Sequence, residues 1–164
     1  AFGQDPKAVE AITKAVKSHA KQPVMMKLSP NVTDITEMAK AAQAGGADAL
    51  SLINTLTGMK IDIQRRTFAV ANRTGGFSGP AIKPIAVRMV YQVAQAVQIP
   101  IVGMGGISCW EDAIEFLLAG ATMVSVGTAN FYNPNVTMEV VDGIEKYLLD
   151  HQISDVRELI GAVK

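Results

Sequence analysis

The sequence is poor in the features that mark secreted, membrane and nucleic-acid-binding proteins. It has a single cysteine, Cys109, among 164 residues, which excludes an internal disulfide framework and suits a reducing compartment. Its 15 basic and 15 acidic side chains cancel to zero net charge, so it lacks the basic field that nucleic acid or an anionic membrane would attract. No apolar run approaches the roughly 20 residues that span a bilayer, and the first five residues resemble no targeting peptide. We therefore expect a soluble cytoplasmic protein with no nucleic-acid or membrane partner.

What the sequence has instead is a nearly regular alternation of helical and strand patterns. Short apolar runs predict strands at residues 23–28, 49–53, 101–104 and 123–126, and the nearly continuous first run predicts a strand covered on both faces. Capping signals and apolar residues at helical spacing predict helices from Asp5-Pro6, from Thr33-Asp34 to Gly45-Gly46, over 82–97, from a Ser108–Glu111 capping box to Gly120, and at 136–149 and 154–163. Residues 54–81 interrupt the alternation with a long, polar, glycine-rich stretch.

A faint internal repeat supports the same organisation. Residues 46–52 and 120–126 each contain a helix stop, a strand and a polar strand end in the same order. Repeated βα units imply parallel strands with right-handed crossovers, either in an open doubly wound sheet or in part of a (β/α)8 barrel. Four strands cannot close a barrel of the usual ~250 residues, but functional-looking residues follow all four strands, as they do in barrels. We predict an α/β fold in which residues 1–164 form one partial domain, the C-terminal half of a (β/α)8 TIM barrel whose N-terminal half lies outside this chain.

Two neighbouring strand ends carry glycines that suit a phosphate group. The apolar run 99–102 leads into the segment 103–107 (GMGGI), and the next strand ends at Gly127-Thr128. Glycine lets the backbone approach a ligand closely, and the bare N–H groups before a helix favour negative charge. A grip of this kind after the last two strands is typical of barrel enzymes. We predict that Gly105, Gly106, Gly127 and Thr128 form a phosphate cradle; the alternative is that these glycines only let helices pack closely on strands.

Polar side chains follow the other two strands. Lys27 ends the first strand, where a buried charge is costly without a partner; the alternative is a lysine that reaches solvent at the barrel mouth. Asn54 and Thr55 follow the second strand with amide and hydroxyl groups that suit a planar polar substrate, unless they only form a turn. The long stretch after them is either a flexible connection or a lid or wall of the site, as long loops in compact domains usually are.

Other reactive side chains carry weaker signals. Cys109 falls in the first turn of a predicted helix, where a thiolate is favoured. Arg65 and Arg66 either attract an anionic substrate or are ordinary solvated side chains. His19 and His151 fall on helix surfaces without a partner pattern, and no metal site is expected.

Several segments, taken in order, resemble one enzyme family. They are residues 27–35 (KLSPNVTDI), 51–55 (SLINT), 74–84 (TGGFSGPAIKP), 103–107 (GMGGI) and 126–131 (VGTANF). Together they resemble the C-terminal half of class 1B dihydroorotate dehydrogenase, the catalytic subunit of an NAD-linked bacterial enzyme. The resemblance implies an FMN-containing barrel that oxidises dihydroorotate to orotate in de novo pyrimidine biosynthesis.

The resemblance also implies roles for individual residues and for partners. It implies contacts to FMN for Lys27, Ile53, Gly79, Gly105, Gly106, Gly127 and Thr128, and contacts to the dihydroorotate or orotate ring for Asn54 and Thr55. The family's catalytic base is a cysteine on a loop upstream of Phe2-Gly3, so no catalytic residue is expected in this chain and Cys109 is not expected to act as the base. The implied partners are a second copy in a homodimeric core and a subunit that carries FAD and an iron–sulfur cluster and delivers electrons to NAD. This chain has neither a dinucleotide-binding fingerprint nor the cysteines for a cluster.

Two other functions stay open at this level. One is an FMN module similar to dihydropyrimidine dehydrogenase, and the other is a non-catalytic phosphate-binding half-barrel. For an enzyme of either dehydrogenase type, we expect the 164-residue chain by itself to be inactive. It would lack the base, and its open half-barrel would expose inner apolar faces.

Overall fold

A parallel sheet organises the computed structural model, which describes residues 2–163. In chain order, the strands are β1 (Met25–Lys27), β2 (Ala49–Leu52), β3 (Leu56–Met59), β4 (Ile61–Asp62), β5 (Thr67–Phe68), β6 (Thr74–Phe77), β7 (Ile101–Met104) and β8 (Met123–Ser125). Strands β1, β2, β7 and β8 pair in that order, and every pairing is parallel. The prediction of four parallel strands is confirmed.

Helices alternate with these four strands along the chain. They are α1 (Pro6–His19), α2 (Ile35–Ala44), α3 (Lys83–Ala94), α4 (Trp110–Leu118) and α5 (Val136–Asp150). Asp5 caps α1 by accepting a hydrogen bond from the N–H of Lys7 at 3.0 Å, and Asp34 caps α2 by accepting one from the N–H of Thr36 at 2.8 Å, as the capping signals predict. Within residues 2–163, none of the helices combines the length and the apolar character that a bilayer crossing requires.

The central strands of the sheet are buried, whereas the outer strands each have an open face. Leu50 of β2 is fully buried, but in β1 both Met25 and Lys27 are exposed while Met26 between them packs against the core. In β8, Met123 is likewise exposed. The prediction that the first strand is covered on both faces, with Lys27 as a buried charge, is wrong for this chain. An outer strand has a neighbour on one side only, and no layer within residues 2–163 covers the face that carries Met25 and Lys27.

The internal repeat corresponds to a repeated structural unit. The Asp48 carboxylate accepts a hydrogen bond from the N–H of Val24 at 2.6 Å, and the Thr122 hydroxyl accepts one from the N–H of Ile101 at 3.2 Å. The N–H groups of Asp48 and Thr122 in turn donate to the carbonyls of Val24 and Ile101, at 2.9 and 2.8 Å. In both copies, a polar side chain just before a strand therefore joins it to the start of the preceding parallel strand.

The stretch that interrupts the alternation folds into two nested antiparallel hairpins. Strand β3 pairs with β6, and within them β4 pairs with β5. We call residues 56–77 the hairpin arm. The sequence predicts only a long polar stretch here, because the strands are two to four residues long and β6 contains two consecutive glycines. The pairing of Leu56 with Phe77 across the arm is a non-local contact that no local pattern shows.

The end of the chain departs from the predicted helix at 154–163. The structure has a single 3-10 turn there, Val156–Leu159. Asp155 caps the turn, and the chain is extended at Ile160 and left-handed at Gly161 (φ 69°), so the turn does not continue. Leu159 is buried against α4, and that contact holds the segment on the fold.

The contact between α4 and α5 depends on the absence of a side chain at Gly143. A Cβ at this position would lie 2.1 Å from Cγ of Trp110. Alanine is normally about 1 kcal/mol more favourable than glycine inside a helix, but here we expect Gly143→Ala to lower the free energy of unfolding by about 1–3 kcal/mol. Urea denaturation measures this change. In the double variant with Trp110→Ala, the loss should be smaller than the sum of the two single losses, and strict additivity would contradict the steric explanation.

Candidate functional site

The carboxyl ends of the four parallel strands surround one cleft of about 310 Å³. All nine residues that the sequence singles out for cofactor or substrate line this cleft, namely Lys27, Ile53, Asn54, Thr55, Gly79, Gly105, Gly106, Gly127 and Thr128. A larger groove of about 760 Å³ lies between α3 and α4. None of its lining residues lines the cleft, and it does not bring together the polar groups that follow the four strands. The cleft is therefore the candidate site.

One end of the cleft presents backbone N–H groups and hydroxyls rather than charged side chains. A narrower pocket of about 160 Å³ lies beside the cleft, and Gly79, Gly106 and Thr128 line both. The backbone N–H groups of Gly106, Gly127 and Thr128 have no hydrogen-bond acceptor within residues 2–163. The Thr128 hydroxyl donates to Oγ of Ser78 at 3.2 Å, which links the end of β8 to the segment before α3. Unpaired N–H groups of residues that line this end of the cleft suit an anion such as phosphate.

The glycines of this cradle are needed for different reasons. Gly105 and Gly106 have positive φ angles of 126° and 81°. A Cβ on Gly106 would also lie 2.9 Å from the carbonyl oxygen of Gly79, so conformation and packing both require glycine there. Gly127 differs, because its φ is −110° and a Cβ would meet no protein atom within 4 Å. Close packing of a helix on a strand does not explain Gly127, because a side chain there would meet open space at the lining of the cleft.

The opposite end of the cleft carries polar side chains. Asn54 Oδ1 accepts a hydrogen bond from the N–H of Thr55 at 2.8 Å, which leaves the amide nitrogen of Asn54 for a ligand. Strand β6 passes directly over Thr55, since a Cβ on Gly76 would lie 2.6 Å from Thr55 Oγ1. The hairpin arm thus begins and ends beside the cleft. Lys27 contributes an exposed ammonium group from the end of β1.

Asn31 holds the segment after β2 in place, and sequence reasoning missed it. Its amide nitrogen donates to the carbonyl of Thr55 at 3.0 Å, and its amide oxygen accepts from the N–H of Thr57 at 2.9 Å. Gln4 donates to the Asn31 carbonyl at 3.0 Å from the other side. An asparagine can satisfy a donor and an acceptor of the same backbone segment at once. The only signal in the sequence is an amide in the loop that follows the first strand.

Comparisons with known proteins agree on one family. The family model for dihydroorotate dehydrogenase matches residues 1–148. The chain belongs to the dihydroorotate dehydrogenase family. It is 71% identical over 164 residues to the protein named dihydroorotate dehydrogenase B (NAD(+)), catalytic subunit, of Lachnoclostridium phytofermentans. It is 66% identical over 160 residues to the protein of the same name in Alkaliphilus oremlandii.

A solved structure shows the same fold. The chain superposes on the dihydroorotate dehydrogenase of Eimeria tenella, solved in complex with ferulenol, with a TM-score of 0.80 and 25% sequence identity over 97% of this chain. The chain spans about half the length of the relatives that it matches, with 55% of the Lachnoclostridium protein, 53% of the Alkaliphilus protein and 49% of the solved chain. The predicted fold class and the resemblance to class 1B dihydroorotate dehydrogenases are confirmed.

A buried carboxylate beside the cradle is the second feature that sequence reasoning missed. Asp112 Oδ2 accepts hydrogen bonds from the N–H of Ser108 at 2.8 Å, from its hydroxyl at 2.9 Å and from the N–H of Cys109 at 3.3 Å, while Oδ1 pairs with Lys83 Nζ at 2.7 Å. The predicted capping box Ser108–Glu111 is therefore wrong by one residue. Cys109 occupies the cap and Asp112 the third helical position, because Asp112 faces inward to Lys83 whereas Glu111 faces solvent.

The remaining reactive side chains lie outside the cleft. Desolvation, together with the carboxylates of Glu111 and Asp112, raises the pKa of the Cys109 thiol. The expectation of a favoured thiolate there is therefore wrong. Arg65 and Arg66 are exposed in the turn between β4 and β5 of the hairpin arm and do not line the cleft.

The ion pair of Asp112 makes stability depend on pH in a defined direction. Burial by itself would raise the pKa of Asp112, but the hydrogen bonds from Lys83 and Ser108 outweigh it and lower the pKa to about 2. Because this lies below the ~3.9 of an unfolded aspartate, the carboxylate stabilises the folded protein above about pH 4, and the contribution disappears as the pH falls towards 2.

As the pH falls from 5 to 2, we expect the unfolding free energy to decrease by about 2 kcal/mol more in the wild-type protein than in the Asp112→Asn variant. Urea denaturation at several pH values in this range measures the difference. Equal pH dependence in the two proteins would show that the Asp112 carboxylate is not preferentially ionised in the folded state.

Proposed function

We propose that the protein containing this chain is an FMN-dependent dihydroorotate dehydrogenase that oxidises dihydroorotate to orotate in pyrimidine biosynthesis. The activity is supported by the names of relatives that are 71% and 66% identical to the chain. The family as a whole supports a flavin cofactor, and the choice of FMN rests on the family resemblance and on the unpaired N–H groups at one end of the cleft. A cytoplasmic location is part of the proposal.

The observation that carries the proposal is the cradle at one end of the cleft. Gly127 leaves space that packing does not require, and the N–H groups of Gly106, Gly127 and Thr128 lack protein acceptors within residues 2–163. A phosphate monoester at the end of a flavin would accept those hydrogen bonds. Gly79, Gly105 and Ile53 would then flank the rest of the flavin along the cleft. When bound, FMN supplies a group that accepts the hydride from the substrate.

The side chains at the other end suit the substrate. Dihydroorotate is a ring with an imide and a carboxylate, and Asn54 and Thr55 offer an amide nitrogen and a hydroxyl beside each other. In the proposed function these two residues orient the ring. The Lys27 ammonium stabilises negative charge that develops on the flavin during the reaction, since a fixed cation is most effective where charge appears.

The proton acceptor is proposed to lie elsewhere in the whole protein. Lys27 is the one titratable side chain that lines the cleft within residues 2–163; its lining holds no carboxylate, imidazole or thiol. We assign the base to a cysteine in the part of the protein that precedes this chain, as the family resemblance implies. In the proposed domain organisation, residues 1–164 are the C-terminal half of an FMN-binding TIM barrel.

The proposal includes a second subunit. The relatives are named catalytic subunits of an NAD(+)-dependent enzyme, which indicates that their electrons reach NAD through another protein. We propose the same arrangement here, with a homodimeric catalytic core and a separate subunit that carries FAD and an iron–sulfur cluster. The single cysteine of this chain, Cys109, lies outside the cleft, which agrees with a cluster held by a partner.

The proposal is tested on the full-length protein, purified under native conditions. We expect visible absorption bands of an oxidised flavin, release of FMN on denaturation, and orotate formation from dihydroorotate with an artificial electron acceptor. Turnover of dihydrouracil instead would favour a dihydropyrimidine dehydrogenase-like module. A folded protein without flavin would favour the non-catalytic phosphate-binding half-barrel.

The variant Gly127→Ala tests the contribution of the cradle to FMN binding separately from its contribution to stability. Because the added methyl group would enter the space assigned to the phosphate, we expect the FMN dissociation constant to rise at least about tenfold, while the unfolding free energy changes by less than about 1 kcal/mol. Flavin fluorescence titration of the apoprotein measures the first quantity and urea denaturation the second. Gly75→Ala is the matched control, since its Cβ is also nearly unopposed but lies in the hairpin arm outside the cleft. Equal FMN affinity in both variants would contradict the assignment of the phosphate to Gly127.

A further inference from the structure

Asp112 is the most extensively bonded carboxylate near the cleft, although it does not line it. Its side chain is one of three buried polar or charged residues in the described part of the chain, and only 7% of its surface is exposed. Three of its hydrogen bonds come from Ser108 and Cys109 and the fourth from Lys83. A buried carboxylate with this many donors fixes the geometry of the groups around it.

The groups that Asp112 joins enclose the cradle from two sides. Ser108 follows Gly106 by two residues, and it lines the 160 Å³ pocket together with Gly106 and Thr128. Lys83 lies on the other side, where its backbone nitrogen and Cβ are each 2.9 Å from the position that a Cβ on Gly106 would occupy. The carboxylate therefore connects both walls that hold the Gly106 turn.

The same network binds the ammonium group of Lys83 outside the cradle. Lys83 Nζ contacts Asp112 Oδ1 and Glu115 Oε1, each at 2.7 Å. Lys83 lines neither the cleft nor the 160 Å³ pocket. Backbone N–H groups and hydroxyls therefore form this end of the site. Recognition of an anion by such groups depends on their exact placement, because N–H···O bonds weaken steeply when they are misaligned.

We infer that Asp112 is a positioning residue for the phosphate end of the cofactor: through Ser108, Cys109 and Lys83 it holds the Gly106 turn in the shape that receives a phosphate monoester. The inference rests on the proposed function, since it assumes that FMN occupies the cleft. If Asp112 has this role, its loss weakens the binding of FMN more than the binding of the same flavin without its phosphate.

The test compares FMN with riboflavin in the apoprotein of the full-length enzyme. We expect Asp112→Asn to raise the dissociation constant of FMN about tenfold and that of riboflavin less than twofold, because only FMN has the phosphate. Glu115→Gln is the matched control. It removes the other carboxylate that contacts Lys83 but leaves the bonds to Ser108 and Cys109, so both constants should stay within about twofold of wild type.

A second variant covers the case in which Asp112→Asn does not fold. Ser108→Ala removes one of the three hydrogen bonds to Oδ2, and we expect a rise of about threefold for FMN with riboflavin unchanged. If the dissociation constants of FMN and riboflavin rise equally in the variants, Asp112 has a general structural role and the inference is overturned. It is likewise overturned if the ratio of the two constants stays at its wild-type value because neither constant changes. If wild-type protein binds FMN no more tightly than riboflavin, the phosphate cradle itself is refuted, and the inference is overturned together with that part of the proposed function.

Discussion

Parallel pairing of four strands is the constraint on which the rest of the structure depends. Parallel neighbours need long right-handed crossovers, and these are supplied by the helices α2, α3 and α4, with β3–β6 as an added arm. Every strand of the sheet therefore ends at the same edge. Residues that are about a hundred positions apart, such as Lys27 and Thr128, line one cleft for this reason.

The edge of the sheet divides the cleft into two chemically different ends. Strands β7 and β8 lead into glycines, so that end offers unpaired backbone N–H groups and, within residues 2–163, no charged side chain. Strands β1 and β2 lead into Lys27, Asn54 and Thr55, so the other end offers a cation, an amide and a hydroxyl. Both ends are supported from behind by residues outside the cleft. Asn31 holds the segment after β2, and Asp112 holds the turn after β7.

Local sequence patterns predicted most of the fold because most of its elements depend on short-range chemistry. Asp5 and Asp34 each cap their own helix, and the repeat built on Asp48 and Thr122 marks two equivalent βα units. The failures share a cause. Each failure involves a contact with a residue that is distant in sequence, which local periodicity cannot reveal. The features concerned are the hairpin arm, the helix predicted at 154–163 and the cap of α4.

The sequence by itself determined the alternation of helices and strands, the glycines at two strand ends and the polar groups at the other two, since each is a matter of composition and spacing. Family membership followed from the same motifs. Tertiary structure alone decided which cap begins α4, because Asp112, which forms the cap in place of Glu111, pairs with Lys83 from a distant part of the sequence. It also decided that β1 has an open face and that Gly127, unlike Gly106, has no neighbour to explain its missing side chain. Burial and contact arise only between segments that are distant in sequence, and a one-dimensional pattern cannot contain them.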